Sequence, residues 1–148
     1  QPWNGKKVVL SGIMAEPDEF LDIFSEFNIA VVADDLAQES RQFRTDVPSG
    51  IDPLEQLAQQ WQDFDGCPLA LNPDKPRGQM LIDMTKKYNA DAVVVCMMRF
   101  CDPEEFDYPI YKPEFEAAGV RYTVLDLDIE SPSLEQLRTR IQAFSEIL

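Results

Sequence analysis

Short apolar runs and amphipathic segments alternate along this chain. Four runs are rich in β-branched residues: Lys7–Ser11, Ile29–Ala33, Ala92–Met97 and Tyr122–Leu127. Continuous apolar runs of this length are typical of strands buried on both faces of a parallel sheet. We therefore predict four parallel strands. The third run is the most apolar, which indicates a central place in the sheet.

The segments between the strands carry apolar residues at helical spacing. They predict four longer helices, over Asp18–Phe27, Pro53–Phe64, Arg77–Tyr88 and the segment from the N-cap Ser133 to Leu148. A short helix is predicted over Pro113–Ala118. Asp52, directly before the proline that opens the second helix, is a typical N-cap residue. The segment around Asp102-Pro103 is predicted to form a tight turn, and Asp34-Asp35 to end the second strand.

This alternation predicts an α/β fold in which a four-stranded parallel sheet lies between two layers of helices. The expected strand order is 2-1-3-4, as in flavodoxin-like folds, and residues 1–148 form a single domain. In such a sheet the binding crevice lies where the strand order reverses, outside the carboxyl ends of the first and third strands. The loops there are Gly12–Pro17 and Met98–Glu105, so Cys101 is predicted to lie at the rim of the crevice.

The three cysteines are the first candidates for chemistry. Cys96 lies inside the third strand, where a thiol is expected to pack as a small apolar side chain. Cys67, in a proline-rich loop, is either inert or close to a site. For Cys101, spacing alone leaves both packing and function open, although the turn at Asp102-Pro103 would hold its thiolate in one orientation. An odd number of cysteines in a chain of this size indicates a reducing compartment, the cytoplasm.

Composition excludes several classes of function. The net charge of −14, from 27 acidic and 13 basic residues, disfavours nucleic-acid binding. No apolar run reaches the roughly 18 residues that a membrane span needs. Histidine is absent, so a Ser-His-Asp or Cys-His mechanism is excluded within this chain. The first residue is not Met and no leader pattern follows it, so we expect a piece of a longer protein.

Three other patterns are weaker candidates. Asp34-Asp35 is similar to the acidic pocket of response-regulator receivers, but those proteins need an aspartate after the third strand, where this chain has Met97-Met98. Glu104 and Glu105 could serve in acid–base work, although a solvated turn is the more ordinary interpretation. Ser11-Gly12 is not followed by the glycines of a dinucleotide or phosphate-binding loop.

Two motifs together resemble a known family. They are Phe100–Glu104 (FCDPE) and Gln136–Phe144 (QLRTRIQAF), and the agreement extends to Val9–Gly12, Asp34-Asp35 and Arg77. They resemble the C-terminal part of the 2-hydroxyacyl-CoA dehydratase D-component family, which also includes benzoyl-CoA reductase subunits. The resemblance covers essentially the whole chain and implies that it is the C-terminal lobe of a longer subunit.

The resemblance also implies a cofactor. In that family a [4Fe-4S] cluster lies between an N-terminal and a C-terminal lobe, and the cysteine of the FCDPE motif, here Cys101, is one of its ligands. Cys67 matches a loop position near the cluster in some relatives and is a further candidate ligand. The remaining ligands belong to the N-terminal lobe, so the cluster is expected to be incomplete or absent in this chain alone.

The implied reaction is the dehydration of a 2-hydroxyacyl-CoA to an enoyl-CoA through a ketyl radical anion. The implied partners are the N-terminal lobe, a second dehydratase subunit, an ATP-dependent iron–sulfur activator and the acyl-CoA substrate. Arg99 is expected to form an ion pair at the crevice rim or, alternatively, to tune the charge of the iron–sulfur cluster. Arg138 and Arg140 are expected to brace the last helix against the rest of the subunit. The alternative is a non-catalytic accessory lobe that docks a partner or relays electrons within an activator–dehydratase fusion. Neither the acyl group nor the choice between dehydration and ring reduction follows from the residues.

Overall fold

A computed structural model of the chain describes residues 3–50, 52–70, 72–128 and 133–148. Its centre is a sheet of four strands, β1 (Lys6–Gly12), β2 (Ile29–Leu36), β3 (Ala92–Met98) and β4 (Arg121–Leu127). All neighbouring strands pair in parallel, and their order is β2-β1-β3-β4. The predicted sheet and its order are confirmed.

Five α-helices connect or follow the strands: α1 (Asp18–Glu26), α2 (Pro53–Gln62), α3 (Arg77–Lys87), α4 (Asp102–Ala118) and α5 (Leu134–Ile147). A short 3-10 helix, Ser40–Gln42, follows β2. Asp52 caps α2 as predicted, because its carboxylate accepts a hydrogen bond from the Leu54 amide at 2.8 Å. Ser133 occupies the N-cap position of α5, but its side chain makes no capping hydrogen bond.

The helices cover both faces of the sheet, which confirms the three-layer arrangement. On one face α1 and α5 bury an aromatic and aliphatic core that includes Phe20, Phe24 and Phe144. On the other face α3 and α4 contribute Leu81, Tyr111 and Phe115. Alternate residues of β1 and β3 point into the two cores, as expected for strands buried on both sides. No helix in the described ranges is long and apolar enough to cross a membrane.

The carboxyl ends of β1 and β3 approach each other closely at Gly12. This residue pairs with Cys96 across the sheet. A Cβ atom at Gly12 would lie 2.2 Å from the Cys96 carbonyl oxygen, which no side chain can accept. Glycine is therefore required at the point where the strand order reverses, beside the loop that carries Cys101.

Helix α4 is much longer than the short helix predicted over Pro113–Ala118, and that prediction is wrong. The predicted tight turn at Asp102-Pro103 is instead the first turn of this helix. Proline in a first turn leaves no intrahelical hydrogen bond unmade. The interior prolines, Pro109 and Pro113, lie on the exposed side, while aromatic residues of the same helix are buried in the core. Tertiary packing therefore outweighs the helix-breaking tendency of the prolines.

Strand β2 also extends beyond its predicted end at Ala33. Asp34 and Asp35 lie within the strand rather than after it, and they pair with Leu10 and Ser11 of β1. Asp34 is half-buried, whereas Asp35 is buried. An aspartate inside a buried strand needs charged or hydrogen-bonding partners, and these partners form the candidate site.

Candidate functional site

A cluster of buried charges lies at the carboxyl edge of the sheet. We call it the charge cluster, and its buried members are Ser11, Asp35, Arg41, Arg77, Glu104 and Asp107. Arg44 and Lys75 join it from more exposed positions. These residues come from two strands, the 3-10 helix, α3, α4 and the loops between them, so the cluster connects segments that are far apart in the chain.

Glu104, in the first turn of α4, is fully buried and bound by two arginines. Its Oε2 accepts a hydrogen bond from Arg77 Nη1 at 2.6 Å, and its Oε1 accepts one from Arg77 Nη2 at 3.1 Å. Both terminal nitrogens of Arg41 lie 3.4 Å from the same Oε1. Two guanidinium groups from different elements therefore fix both oxygens of one carboxylate.

Arg41 connects Glu104 to the ends of β1 and β2. Its Nη2 donates to the backbone oxygens of Gly12 at 2.9 Å and Asp35 at 2.7 Å. Its Nε and Nη2 also bind the Asp35 carboxylate, at 3.2 and 3.1 Å. Arg44 forms a further ion pair with Asp35. Asp35 thus holds the segment after β2 against the sheet.

Arg77, the first residue of α3, is surrounded by acceptors. Its Nη2 donates to Ser11 Oγ at 2.9 Å, and its Nε lies 3.3 Å from Asp35 Oδ2 without hydrogen-bond alignment. Burial alone would lower the pKa of Arg77, but the charges of Glu104 and Asp35 outweigh burial, and the pKa rises. Arg77 therefore stays positively charged in this buried position.

The charge cluster carries an excess of positive charge. Four basic groups, Arg41, Arg44, Arg77 and Lys75, face three acidic groups, Asp35, Glu104 and Asp107. This local balance is opposite in sign to the chain as a whole, whose net charge is −14. The charge cluster taken by itself therefore favours a negatively charged ligand, whereas the exposed Asp102 and Glu105 in the first turn of α4 add negative charge at the same edge.

Cys101 lies at this edge, three residues after the end of β3. It is half-buried and occupies the N-cap position of α4. Its backbone amide donates to the Met98 carbonyl at 3.2 Å, and its carbonyl accepts from the Glu105 amide at 3.0 Å. The preceding Phe100 has a φ of 65° and is 93% exposed. The helix, rather than the predicted tight turn, sets the orientation of this cysteine.

The other two cysteines have different surroundings. Cys67 is half-buried, and its Sγ lies 4.0 Å from Arg41 Nη1, the guanidinium that also binds Glu104. It lines a cavity of about 590 Å³ together with Trp61 and other residues. Cys96 is fully buried in β3, where burial and then the charge of Glu104 raise the pKa of its thiol to about 12. The expectation that Cys96 packs as an apolar side chain is confirmed.

The described ranges contain no group of three or more His, Cys, Asp or Glu side chains that could hold a metal ion. The carboxylates of the charge cluster are occupied by arginine and lysine. Cys101 precedes Glu104 by three residues at the start of α4. Cys67 is near Glu104 through Arg41, whose Nη1 contacts both the Cys67 Sγ and the Glu104 carboxylate. Within the described ranges the protein therefore offers single thiol ligands rather than a complete metal site.

Residues 1–148 match the family described as 2-hydroxyglutaryl-CoA dehydratase, D-component. The chain belongs to this family. Among curated relatives of this family member, the β-subunit of lactoyl-CoA dehydratase from Anaerotignum propionicum is 56% identical over 149 residues. The β-subunits of (R)-phenyllactyl-CoA dehydratase from Clostridium sporogenes and (R)-2-hydroxyglutaryl-CoA dehydratase from Acidaminococcus fermentans are 44% and 33% identical.

These alignments include 99–100% of this chain but only 39–40% of each relative, so the chain spans about two fifths of their length. Among solved structures, the NAD(P)H:quinone oxidoreductase from Methanothermobacter marburgensis is 11% identical, with coverage of 95% of this chain and 96% of that chain. Its TM-score of 0.42 is too low to support an argument about this family member.

The arginines of the sequence prediction lie where they were expected. Arg99 forms an exposed ion pair with Asp128 at 3.1 Å. Arg138 pairs with Glu26 of α1, and Arg140 lies 3.0 Å from Asp126 of β4, so both brace α5. These contacts give none of the three a direct part in the charge cluster.

Sequence reasoning misplaced Glu104 and missed the charge cluster. The expected solvated turn at Glu104-Glu105 is wrong for Glu104, which is fully buried, although Glu105 is exposed. In the sequence, Arg77 was distinctive only because it is part of the resemblance to the family. Asp35 was distinctive only because it belongs to the acidic pair Asp34-Asp35. The available signal was the excess of charged residues near three strand ends, which meet at one edge of a parallel sheet.

Proposed function

We propose that this chain is the C-terminal lobe of a 2-hydroxyacyl-CoA dehydratase subunit and that Cys101 is one thiolate ligand of a [4Fe-4S] cluster. The observation that carries the proposal is the half-buried thiol of Cys101 at the edge of the sheet where strand order reverses, in a chain that belongs to this family. Clefts at this position are the usual binding sites of open α/β sheets.

The surroundings of Cys101 fit a thiolate-bound cluster. Cysteine thiolates are the usual ligands of iron–sulfur clusters, and such clusters are held at negative charge by them. The backbone amides at the N-terminus of α4 and the positive excess of the charge cluster favour negative charge, and the exposed Asp102 and Glu105 of the same turn oppose it. Since the described residues hold no group of three or more ligands, at least part of the ligand set would come from outside this chain. Cys67 is the further candidate within it.

When bound, the cluster would supply the single low-potential electron that converts the thioester carbonyl of a 2-hydroxyacyl-CoA into a ketyl radical anion able to expel its 2-hydroxyl group. The residues of this chain have simpler tasks. Cys101 binds one iron, α4 orients the thiolate, and the charge cluster compensates negative charge. Because the chain contains no histidine, no imidazole from this lobe takes part in proton transfer.

The proposal includes partners, beginning with the remainder of the same subunit. Helix α2 is amphipathic, yet it buries no residue, and its apolar residues Leu54, Leu57 and Trp61 lie at helical spacing and are exposed. Trp61 also lines the cavity that contains Cys67. We infer that the N-terminal lobe covers this face and brings the other cluster ligands to this edge. The chain spans only two fifths of its relatives, which supports such a lobe.

The relatives are each called a β-subunit, which supports a second dehydratase subunit as a partner. An ATP-dependent iron–sulfur activator is the partner that would deliver the electron. The substrate is a 2-hydroxyacyl-CoA, and the relatives act on lactoyl, phenyllactyl and 2-hydroxyglutaryl thioesters according to their names.

The experiment is anaerobic reconstitution of the full-length subunit with its partner subunit. Cys101→Ser should lower the iron content per subunit and alter the electron paramagnetic resonance spectrum of the reduced protein. Cys96→Ala is the matched control, because it removes a buried thiol that packs in the core. Iron content and spectra that stay native in Cys101→Ser would remove the basis of the assignment. Cys67→Ser lowers the iron content only if Cys67 is a second ligand.

The alternative is a non-catalytic lobe that docks a partner. The exposed face of α2 favours it, since this face needs no cluster to have a function. Trp61→Glu should weaken association with a separately produced N-terminal lobe, and Ile147→Glu, at another exposed apolar residue, serves as its control. Loss of association in Trp61→Glu with native iron content in Cys101→Ser would favour the docking function over the cluster-binding function.

A further inference from the structure

The first turn of α4 carries both Cys101 and Glu104. Cys101 is the N-cap residue of α4, and Glu104 lies three residues later, in the first turn of the helix. Glu104 is fixed by Arg77 from α3 and by Arg41 from the segment after β2. The position of this turn relative to the sheet therefore depends on two ion pairs that are almost completely buried.

We propose that Glu104, held by Arg77 and Arg41, is a positioning residue for Cys101. The positive excess of the charge cluster raises the reduction potential of the iron–sulfur cluster that Cys101 binds. This inference rests on the proposed function, because it concerns the same cysteine. It adds a role for residues that do not themselves touch iron.

The geometry supports a positioning role. Arg77 contacts both oxygens of Glu104, at 2.6 and 3.1 Å, and this two-point contact fixes the carboxylate plane as well as its distance. Arg77 is itself held by Ser11 of β1 and stacks over the Tyr111 ring at 5.5 Å. Because Arg77 contacts Glu104, Ser11 and the Tyr111 ring, it fixes the start of α4 relative to the edge of the sheet.

Stability alone is a weak reason for such a cluster. Buried ion pairs lose much of their attraction to desolvation, and apolar side chains of similar volume often stabilise a protein as well or better. A fixed set of buried charges has a different advantage: it sets the electrostatic potential and the geometry of the adjacent surface. The adjacent surface here is the N-terminal turn of α4 with Cys101.

The charges predict the sign of the effect on a one-electron couple. Reduction adds one negative charge to the cluster, so nearby positive charge stabilises the reduced state. Glu104→Gln removes a negative charge and should raise the reduction potential, whereas Arg77→Met removes a positive charge and should lower it. The double variant R77M/E104Q leaves the net charge unchanged but removes the fixed contact.

The test uses the full-length subunit assembled with its partner and reconstituted anaerobically. Redox titration followed by electron paramagnetic resonance gives the potential, and iron analysis gives the occupancy. At a fixed applied potential we expect the oxidised-to-reduced ratio to change about tenfold in opposite directions in the two single variants, which is about 59 mV each for a one-electron couple. The double variant should keep a near-native potential and lose iron occupancy.

The control is the double variant R138M/E26Q, which neutralises an exposed arginine–glutamate pair between α1 and α5. It should change neither the potential nor the iron content. If either single variant fails to fold, the iron occupancy of the R77M/E104Q protein, whose net charge is unchanged, tests the positioning role. Native iron occupancy in that folded protein would overturn the positioning role.

The outcomes separate this inference from the proposed function. If Cys101→Ser loses iron while Glu104→Gln, Arg77→Met and the double variant keep native potential and occupancy, the inference is wrong and the cluster assignment stands. If Cys101→Ser keeps both its iron content and its native spectra, the assignment and the inference fail together. Opposite shifts of the potential in the two single variants, with a near-native potential and lowered iron occupancy in the double variant, support the inference.

Discussion

Asp35→Asn tests whether charge balance holds the carboxyl edge of the sheet together. The substitution keeps the shape of the side chain and removes its negative charge. Asp35 is fully buried and lies against Arg41, Arg44 and Arg77. Among the described residues Arg44 has no second carboxylate within ion-pair distance, and Arg41 would keep only Glu104, which it shares with Arg77. Arg77 would also keep Asp107, whose Oδ2 lies 3.6 Å from its Nη1.

The magnitude follows from these contacts. Removing one member of a buried ion pair typically costs about 3–5 kcal/mol, because the remaining charge stays buried without compensation. Asparagine retains one acceptor oxygen, so part of the hydrogen bonding survives and we expect the lower half of that range. A protein of this size has a free energy of unfolding of about 5–15 kcal/mol, so the loss is large. The melting temperature should fall by about 6–16 °C.

Asp34→Asn provides the matched control, one residue earlier in the same strand. The Asp34 carboxylate accepts from the backbone amides of Leu36 and Ser40, at 3.1 and 3.0 Å, and asparagine can accept both bonds. Its cost should be about 1 kcal/mol or less. Urea unfolding monitored by circular dichroism measures both variants. Equal losses in the two variants would refute the reasoning, because the cost would then not come from unbalanced arginine charge.

Two further predictions concern buried groups. At pH 9 the Cys96 thiol, with a pKa of about 12, should be ionised in about one molecule in a thousand. Alkylation with iodoacetamide, followed by peptide mass spectrometry, should therefore label the half-buried Cys67 and Cys101 long before Cys96. Because this folded-state pKa lies above the ordinary value of 9.0, the neutral thiol contributes stability that is complete below about pH 9 and is lost as the pH rises toward 12. In urea unfolding, Cys96→Ala should lose less stability over this pH range than the unsubstituted protein. An equal loss in the two proteins would contradict the assignment. The buried Tyr111 hydroxyl has no hydrogen-bond partner among the described residues, so Tyr111→Phe should raise the free energy of unfolding by up to about 1 kcal/mol, and a clear loss of stability in thermal unfolding would show that the hydroxyl is bonded.

The sheet could be predicted from sequence because its signals are local. Each strand is a short β-branched run, and right-handed crossovers leave few arrangements for four such runs. Cys96 was assigned to the core for the same reason, since it stands inside the run Ala92–Met97. Cys101 was placed at the carboxyl edge by topology alone, and the structure puts it three residues after β3.

The charge cluster could not be predicted because its contacts are long-range. Glu104 is 27 residues from Arg77 and 63 from Arg41 along the chain, and nothing in its local sequence distinguishes it from the exposed Glu105. Local composition also concealed α4, because Asp102-Pro103 indicated a tight turn and only Pro113–Ala118 was predicted to be helical. The buried aromatic residues that stabilise this helix become informative only once β3 and β4 are in place beneath them.

The two interior prolines of α4 have a consequence for the unfolded chain. A proline ring restricts φ before folding as well as after it, so the segment around Pro109 and Pro113 has fewer conformations to lose when the helix forms. The carbonyl groups that these rings leave without an amide partner lie toward the exposed side of the helix, where water can bind them. The segment that follows Cys101 therefore becomes ordered at a reduced cost in entropy.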